Sequence, residues 1–364
     1  MSISALPIVT TSTTAKRDQT DEQRRDLLAR LALTYERTLS DDGDSFSTLV
    51  CRDASGDRVV LKYMHTDSPD AYRRLTNETR LLTLIPAVPP LRVLRHRTSD
   101  LGYLVTDFDA GVLLRGPAMD DEHITAVVAE ALARFHATRI DFEAHGIVDR
   151  EKVERYYVKV LGKHLLHLWP ALLTAKEAAR CLSIGANALR AISRTTVPTH
   201  GDLMPTNLLY DEQAASITFT DLEGFMTANH PLFDVLALCS VCDRPLEQWD
   251  WQARFVQKYL RAAGNPELSF DAPDFRTAYR AILVFFLVYR LNETRLLARH
   301  ELYFDGLPKK SYAVNKVRQL LTGRDAWRHA PETPDVAVHG RNLRRALDAR
   351  CFADHIEFMR SARP

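Results

Sequence analysis

Between His200 and Glu223 the chain spaces three polar side chains along a loop and a short hairpin. His200-Gly201-Asp202-Leu203-Met204-Pro205-Thr206-Asn207 carries an acid and then an amide. Leu208-Leu209-Tyr210 is an apolar run, Asp211-Glu212 turns the chain, and Ser216-Ile217-Thr218-Phe219-Thr220 returns with Asp221 at its end. Leu222-Glu223 follows. The pattern is that of a tight loop feeding an antiparallel hairpin. A carboxylate on a tight loop orients a hydroxyl and accepts its proton. A neutral amide ligates a cation without adding charge, and a second carboxylate offsets a dication. These are the parts of a phosphoryl-transfer site, with Asp202 as base or orienter and Asn207 and Asp221 holding Mg²⁺ on nucleotide phosphates. Asp and Asn are common in turns, so the acid and the amide alone say little. The whole string with a downstream D-x-E is far rarer.

H-G-D-L-x-x-x-N-L-L followed by D-x-E resembles the aminoglycoside phosphotransferase family, the small-molecule branch of the protein-kinase-like fold. Protein kinases usually carry H-R-D and D-F-G at these places, so Gly201 and Leu222-Glu223 argue for the small-molecule branch. The resemblance implies an α+β, two-lobed fold with a small β-rich N-lobe and a larger, mostly helical C-lobe. It also implies ATP or GTP as phosphoryl donor, Mg²⁺ as cofactor, and a small-molecule hydroxyl as acceptor, antibiotics included. It runs from about residue 36 to about residue 325 and is most specific at 200–223.

The remaining pattern fits that frame. Residues 1–20, rich in Ser and Thr, read as a mobile N-terminal tail. The N-lobe is expected over 21–108 and the C-lobe over 109–364. Asp21 to about Tyr35 reads as a short helix. Phe46 to Cys51 and Arg58 to Met64 read as strands joined by the turn Asp53-Ala54-Ser55-Gly56-Asp57. Ala71 to Ile85 has helical periodicity and is closed by Pro86, Pro89 and Pro90. Leu91 to Leu94 and Gly102 to Val105 read as further strands. From Asp120 onward the pattern is mostly helical, and the composition shift at Asp107 to Gly111 marks a hinge.

Lys62 lies in the apolar strand Val59-Val60-Leu61-Lys62-Tyr63-Met64. An ammonium buried there needs a partner. In kinases the strand Lys pairs with a helix Glu and positions the nucleotide phosphates, and Glu78 is the candidate here. The turn Leu39-Ser40-Asp41-Asp42-Gly43-Asp44-Ser45-Phe46 is the candidate phosphate loop, with Ser40, Gly43 and Ser45 as its phosphate-facing residues. It departs from the family in its three Asp, which repel a triphosphate unless they point outward or meet Mg²⁺. Leu104-Val105-Thr106-Asp107-Phe108-Asp109-Ala110-Gly111 resembles the family's hinge, which places Asp107 and Phe108 beside the nucleobase. In the C-lobe, the resemblance gives structural support to His200, to Asp234 in Pro231-Leu232-Phe233-Asp234-Val235-Leu236-Ala237, and to His136 under the catalytic loop.

Composition bounds the rest. The 364 residues allow one large or two ordinary domains. A net charge of +1 with 26% charged residues of mixed sign points away from nucleic-acid and membrane partners. The apolar run Ala281 to Tyr289 is too short to span a bilayer and reads as a buried helix. Five scattered cysteines and no visible secretory signal suit reduced thiols and a cytoplasmic location. Cys239-Ser240-Val241-Cys242 has no second ligand pair and reads as buried helix thiols. The acceptor's identity and the oligomeric state stay open. The alternatives are a choline-, amino-alcohol- or sugar-type kinase, a catalytically silent nucleotide-binding scaffold, and nucleotidyl rather than phosphoryl transfer.

Overall fold

The computed structural model describes residues 22–41, 46–64, 68–114, 116–149, 151–169, 172–241, 249–303 and 334–362. It divides into two compact units. One comprises residues up to Thr79 together with Arg95–Phe108, and the other comprises Arg80–Leu94 and Asp109 onward.

The first unit is built on a five-stranded antiparallel sheet in the order β1-β2-β3-β6-β5. The strands are β1 (Thr34–Asp41), β2 (Phe46–Arg52), β3 (Arg58–Met64), β5 (His96–Asp100) and β6 (Tyr103–Asp107). The β2–β3 turn forms as its residues dictate. Asp53 Oδ1 accepts the N–H groups of Ser55 and Asp57 at 2.9 and 3.0 Å, and Gly56 takes the left-handed conformation at φ 86°. The register then runs unbroken from Phe46↔Met64 to Arg52↔Arg58. One sheet face closes over Leu49, Cys51, Val59, Leu61, Tyr103 and Val105, with Leu28 of the first helix packed onto it. That helix is shorter than its sequence suggests. It spans residues 22–30, Ala32 turns left-handed at φ 51°, and Thr34 and Tyr35 are already strand.

The second unit is mostly helical. Its helices include α3 (Glu122–His136), α4 (Val153–Leu168), α5 (Ala175–Arg194), α6 (Leu232–Val241), α7 (Trp249–Ala263) and α8 (Pro273–Tyr303). Asp121 caps α3 through the N–H groups of His123 and Ile124, and Thr174 with Glu177 forms a capping box on α5. The expected apolar helix segment lies inside α8, where residues 281–288 are all buried. Two small sheets complete the unit. One runs in the order β4 (Leu91–Arg92), β10 (Ser216–Phe219), β9 (Leu208–Asp211) and β7 (Val112–Leu113), and the other pairs β11 (Met226–Asn229) with β8 (Val197–Thr199). Of the segment Leu91 to Leu94, only Leu91–Arg92 is strand (β4). The cysteines Cys51, Cys181 and Cys239 are buried in the core and Cys351 is exposed, while Cys242 lies outside the described residues. Among the described residues, no helix is long and apolar enough to cross a membrane.

Candidate active site

In the first unit, Lys62 stands on β3 and Glu78 on α2 (Pro69–Leu84). Lys62 Nζ donates to Glu78 Oε2 at 2.8 Å, and the two side chains are only 10% and 7% exposed. A pair this enclosed is costly to desolvate and costlier to break, since either partner alone would be a buried charge. The Phe46 ring covers the ammonium, 5.1 Å from its centroid. Ser40 is a β1 residue opposite Thr48, whereas Gly43 and Ser45 lie outside the described residues. Asp107 ends β6. Its carboxylate is ion-paired with Arg97, whose guanidinium also meets Asp53 at 2.7 Å. The Asp107 N–H donates to Arg95 O at 2.9 Å. The Phe108 N–H donates to Arg58 O at 3.3 Å, and the Arg58 guanidinium lies 5.6 Å from the Phe108 ring centroid.

In the second unit, β8 (Val197–Thr199) delivers the chain to His200, Gly201 and Asp202. Met226 of β11 (Met226–Asn229) pairs with Thr199 and closes the base of the loop. Gly201 has φ +81°, and a Cβ there would sit 1.9 Å from Gly224 O. Only glycine tolerates both the dihedral and the approach. His200 is fully buried, and its Nε2 meets Thr220 O at 2.8 Å. Asp234, also fully buried, accepts the His200 N–H at 2.6 Å and the Gly201 N–H at 2.9 Å. Asp202 itself is exposed.

A 3-10 turn, Pro205–Asn207, follows the acid. It brings Asn207 back under the loop, and Asn207 Nδ2 donates to Asp202 O at 2.9 Å. The amide nitrogen is thereby committed, so its oxygen is the end that would face a cation. The hairpin β9 (Leu208–Asp211) and β10 (Ser216–Phe219) keeps the register Phe219↔Leu208. Thr220 N then donates to Asn207 O at 3.0 Å, which carries Asp221 to the Asn207 end of the hairpin. Asp221 is left-handed at φ 61°, ψ 58°, a conformation that Asp tolerates better than most residues. Carboxylate oxygens of Asp221 and Glu223 lie within 4.8 Å of one another. Two hard carboxylates, with the Asn207 amide at the same end of the hairpin, are ligand types that would suit Mg²⁺.

A model of the phosphotransferase enzyme family matches residues 19–278. The chain belongs to that family. It is a phosphotransferase with an alcohol group as acceptor. Solved structures share the fold of this phosphotransferase at low identity. The macrolide 2'-phosphotransferase of Brachybacterium faecium, as apoenzyme, is 18% identical with a TM-score of 0.55, covering 88% of this chain and 97% of its own. The GDP and kanamycin complex of APH(2'')-IIia is 15% identical with a TM-score of 0.57, covering 83% and 99%. The ethanolamine kinase of Plasmodium vivax is 10% identical with a TM-score of 0.56, covering 96% and 98%. No curated protein matches by sequence.

Two features of this phosphotransferase carry no signal in the local sequence. Tyr156, on α4, packs against Phe233 at 6.1 Å between ring centroids. Burial, then the charges of Asp202 and Glu151, push its phenol up to about 12. Asp109 holds the start of the second unit, accepting from Thr218 Oγ1 at 2.6 Å and from the Gly111 N–H at 2.8 Å.

Proposed function

We propose that this phosphotransferase moves the γ-phosphoryl group of ATP or GTP to a hydroxyl of a small molecule, with Mg²⁺. The observation that carries the reading is the bond from Asn207 to the Asp202 carbonyl, on a loop whose backbone is pinned by Asp234. It ties the would-be base and a would-be metal ligand into one rigid turn. Asp202 orients the acceptor hydroxyl and takes its proton. Asn207 and Asp221 hold the metal, with Glu223 beside Asp221. Lys62, kept in place by Glu78, holds the α- and β-phosphates. Mg²⁺ supplies charge neutralisation on the phosphates. Positioning and electrostatics do the rest, since phosphoryl transfer asks little covalent chemistry of the protein. His200 and Asp234 support the loop.

Neighbours that share the fold are named for macrolides, kanamycin and ethanolamine. Antibiotic and amino-alcohol acceptors therefore head the candidates, and the GDP complex supports trying GTP beside ATP. The test is product mass after incubation with each nucleotide, Mg²⁺ and a panel of aminoglycosides, macrolides, peptide antibiotics, amino alcohols and sugars. A gain of one phosphoryl group is the expected result. A nucleotidyl gain would replace the reading with nucleotidyl transfer. Mg²⁺-dependent nucleotide binding with no product from any acceptor would favour the scaffold.

A further inference from the structure

His136 is the last residue of α3 and is 3% exposed. Its ring lies between two buried groups. Nε2 is 3.0 Å from Asp234 Oδ2 and Nδ1 is 2.8 Å from the Tyr259 hydroxyl. Tyr259, on α7, is 1% exposed and meets the imidazole edge-on, with centroids 5.5 Å apart. The same Asp234 Oδ2 accepts the His200 N–H, and Oδ1 accepts the Gly201 N–H. A continuous run of hydrogen bonds therefore leads from α7, through the end of α3 and the first turn of α6, to the two residues that precede Asp202.

We infer that Tyr259 is a positioning residue for phosphoryl transfer, acting through the His136–Asp234 pair to fix where the loop carries the Asp202 carboxylate. One neutral tautomer suits both partners. Asp234 already accepts two N–H groups, so the imidazole facing Oδ2 places its proton on Nε2 and donates it there. Nδ1 is then an acceptor for the Tyr259 O–H, and both bonds are made. The opposite tautomer would turn the Nε2 lone pair toward the carboxylate and leave the Tyr259 proton no acceptor on the ring. Burial, with the Asp234 charge adding to it, pushes the Tyr259 phenol far above its ordinary value, so it remains a donor.

Each bond constrains the next. Without the Tyr259 O–H, Nδ1 loses its partner and the ring is held at Nε2 alone, free to tilt against the carboxylate. Without Nε2–H, a fully buried carboxylate loses one of three donors, which is costly enough to reorient it. Reorienting Asp234 loosens the N–H bonds at His200 and Gly201 and moves Asp202. Tyr259→Phe keeps the ring packing and removes only the hydroxyl, which separates positioning from bulk.

This inference rests on the reading of the Asp202 loop as the transfer site, so one arm of its test does not depend on turnover. Amide hydrogen exchange of the full-length chain is followed at His200 and Gly201 in wild type, Tyr259→Phe, His136→Leu and His136→Gln, whose amide can still donate toward Asp234. Exchange at these two amides is expected to rise at least tenfold in Tyr259→Phe and His136→Leu and by less in His136→Gln, with the β9–β10 hairpin unchanged. In the second arm, Mg²⁺-dependent hydrolysis of ATP and GTP is measured without acceptor. There kcat of Tyr259→Phe is expected to fall at least fivefold while the nucleotide KM stays within twofold. Unchanged exchange at His200 and Gly201 in Tyr259→Phe overturns the inference. So does a lower Tm with kcat of the folded enzyme unchanged, which marks a strut and nothing more. If wild type hydrolyses neither nucleotide, the proposed function loses support, and loop exchange alone decides whether Tyr259 holds the loop.

Discussion

Lys62 Nζ and Glu78 Oε2 are 2.8 Å apart, between side chains that are 10% and 7% exposed. A strand lysine held this way keeps its ammonium at one point, whatever the state of the solvent around it. Lys62→Ala should lower kcat/KM for nucleotide at least tenfold, about 1.4 kcal/mol of transition-state binding. Glu78→Gln, which keeps the shape and loses the charge, should act in the same direction. Steady-state kinetics on variants of verified fold check this, and an unchanged kcat/KM would remove Lys62 from the site.

Gly201→Ala should be tolerated poorly. Its Cβ would lie 1.9 Å from Gly224 O at a φ of +81°. The left-handed dihedral alone costs about 1–2 kcal/mol for an L-residue, and the clash requires the 222–224 turn to move as well. A lower Tm together with a loss of turnover is expected. A variant with wild-type Tm and rate would show that the loop and the 222–224 turn are not locked together.

Metal dependence should divide between the two ligand residues. Asp221→Ala should abolish turnover because it removes the carboxylate that offsets the dication. Asn207→Ala should raise the Mg²⁺ concentration needed for half-maximal rate, roughly tenfold, by losing one neutral oxygen. It should also release the Asp202 carbonyl from its side-chain donor. Titration of rate against Mg²⁺, with chelator controls, separates the two. Near-normal activity of Asp221→Ala would sink the assignment.

Much of this was legible in the residues. The Asp53–Asp57 turn, the Lys62 strand and the 200–221 string are local patterns, and local rules describe them. Other parts are set by partners distant in the chain. β5 (His96–Asp100) has no apolar run and exists because it pairs with β6. β8 and β11 are held mainly by each other. The first helix ends early because Ala32 turns left-handed, a choice its leucine spacing conceals. Tyr156 and Tyr259 carry no motif. Tyr156 meets Phe233 only once α4 is packed against its neighbours, and Tyr259 meets His136 only when α7 packs on α3, and periodicity along one element does not report that.

Acid should destabilise the fold partly through His355. This residue, on the helix Ala349–Ser361, meets the Tyr279 hydroxyl at 2.8 Å. Burial pulls it from 6.5 down to about 4. Between those values the unfolded chain binds a proton that the folded chain refuses, so stability is intact above pH 6.5 and falls as the pH drops toward 4. His355→Gln should show a shallower decline of Tm across that window. Some slope should remain, since burial also pulls His230 down, to about 3. Identical slopes in wild type and variant would contradict this.

The role of Asp202 is tested by transfer of labelled γ-phosphate from ATP or GTP to an acceptor, in the presence of Mg²⁺, by wild type and by Asp202→Ala of matched Tm. A phosphorylated alcohol is expected from wild type and a rate at least a hundredfold lower from the variant, within the range that general-base catalysis contributes. Equal rates from the two proteins would contradict that role, because the base would then lie elsewhere and the loop built around Asp202 would have no part in the chemistry.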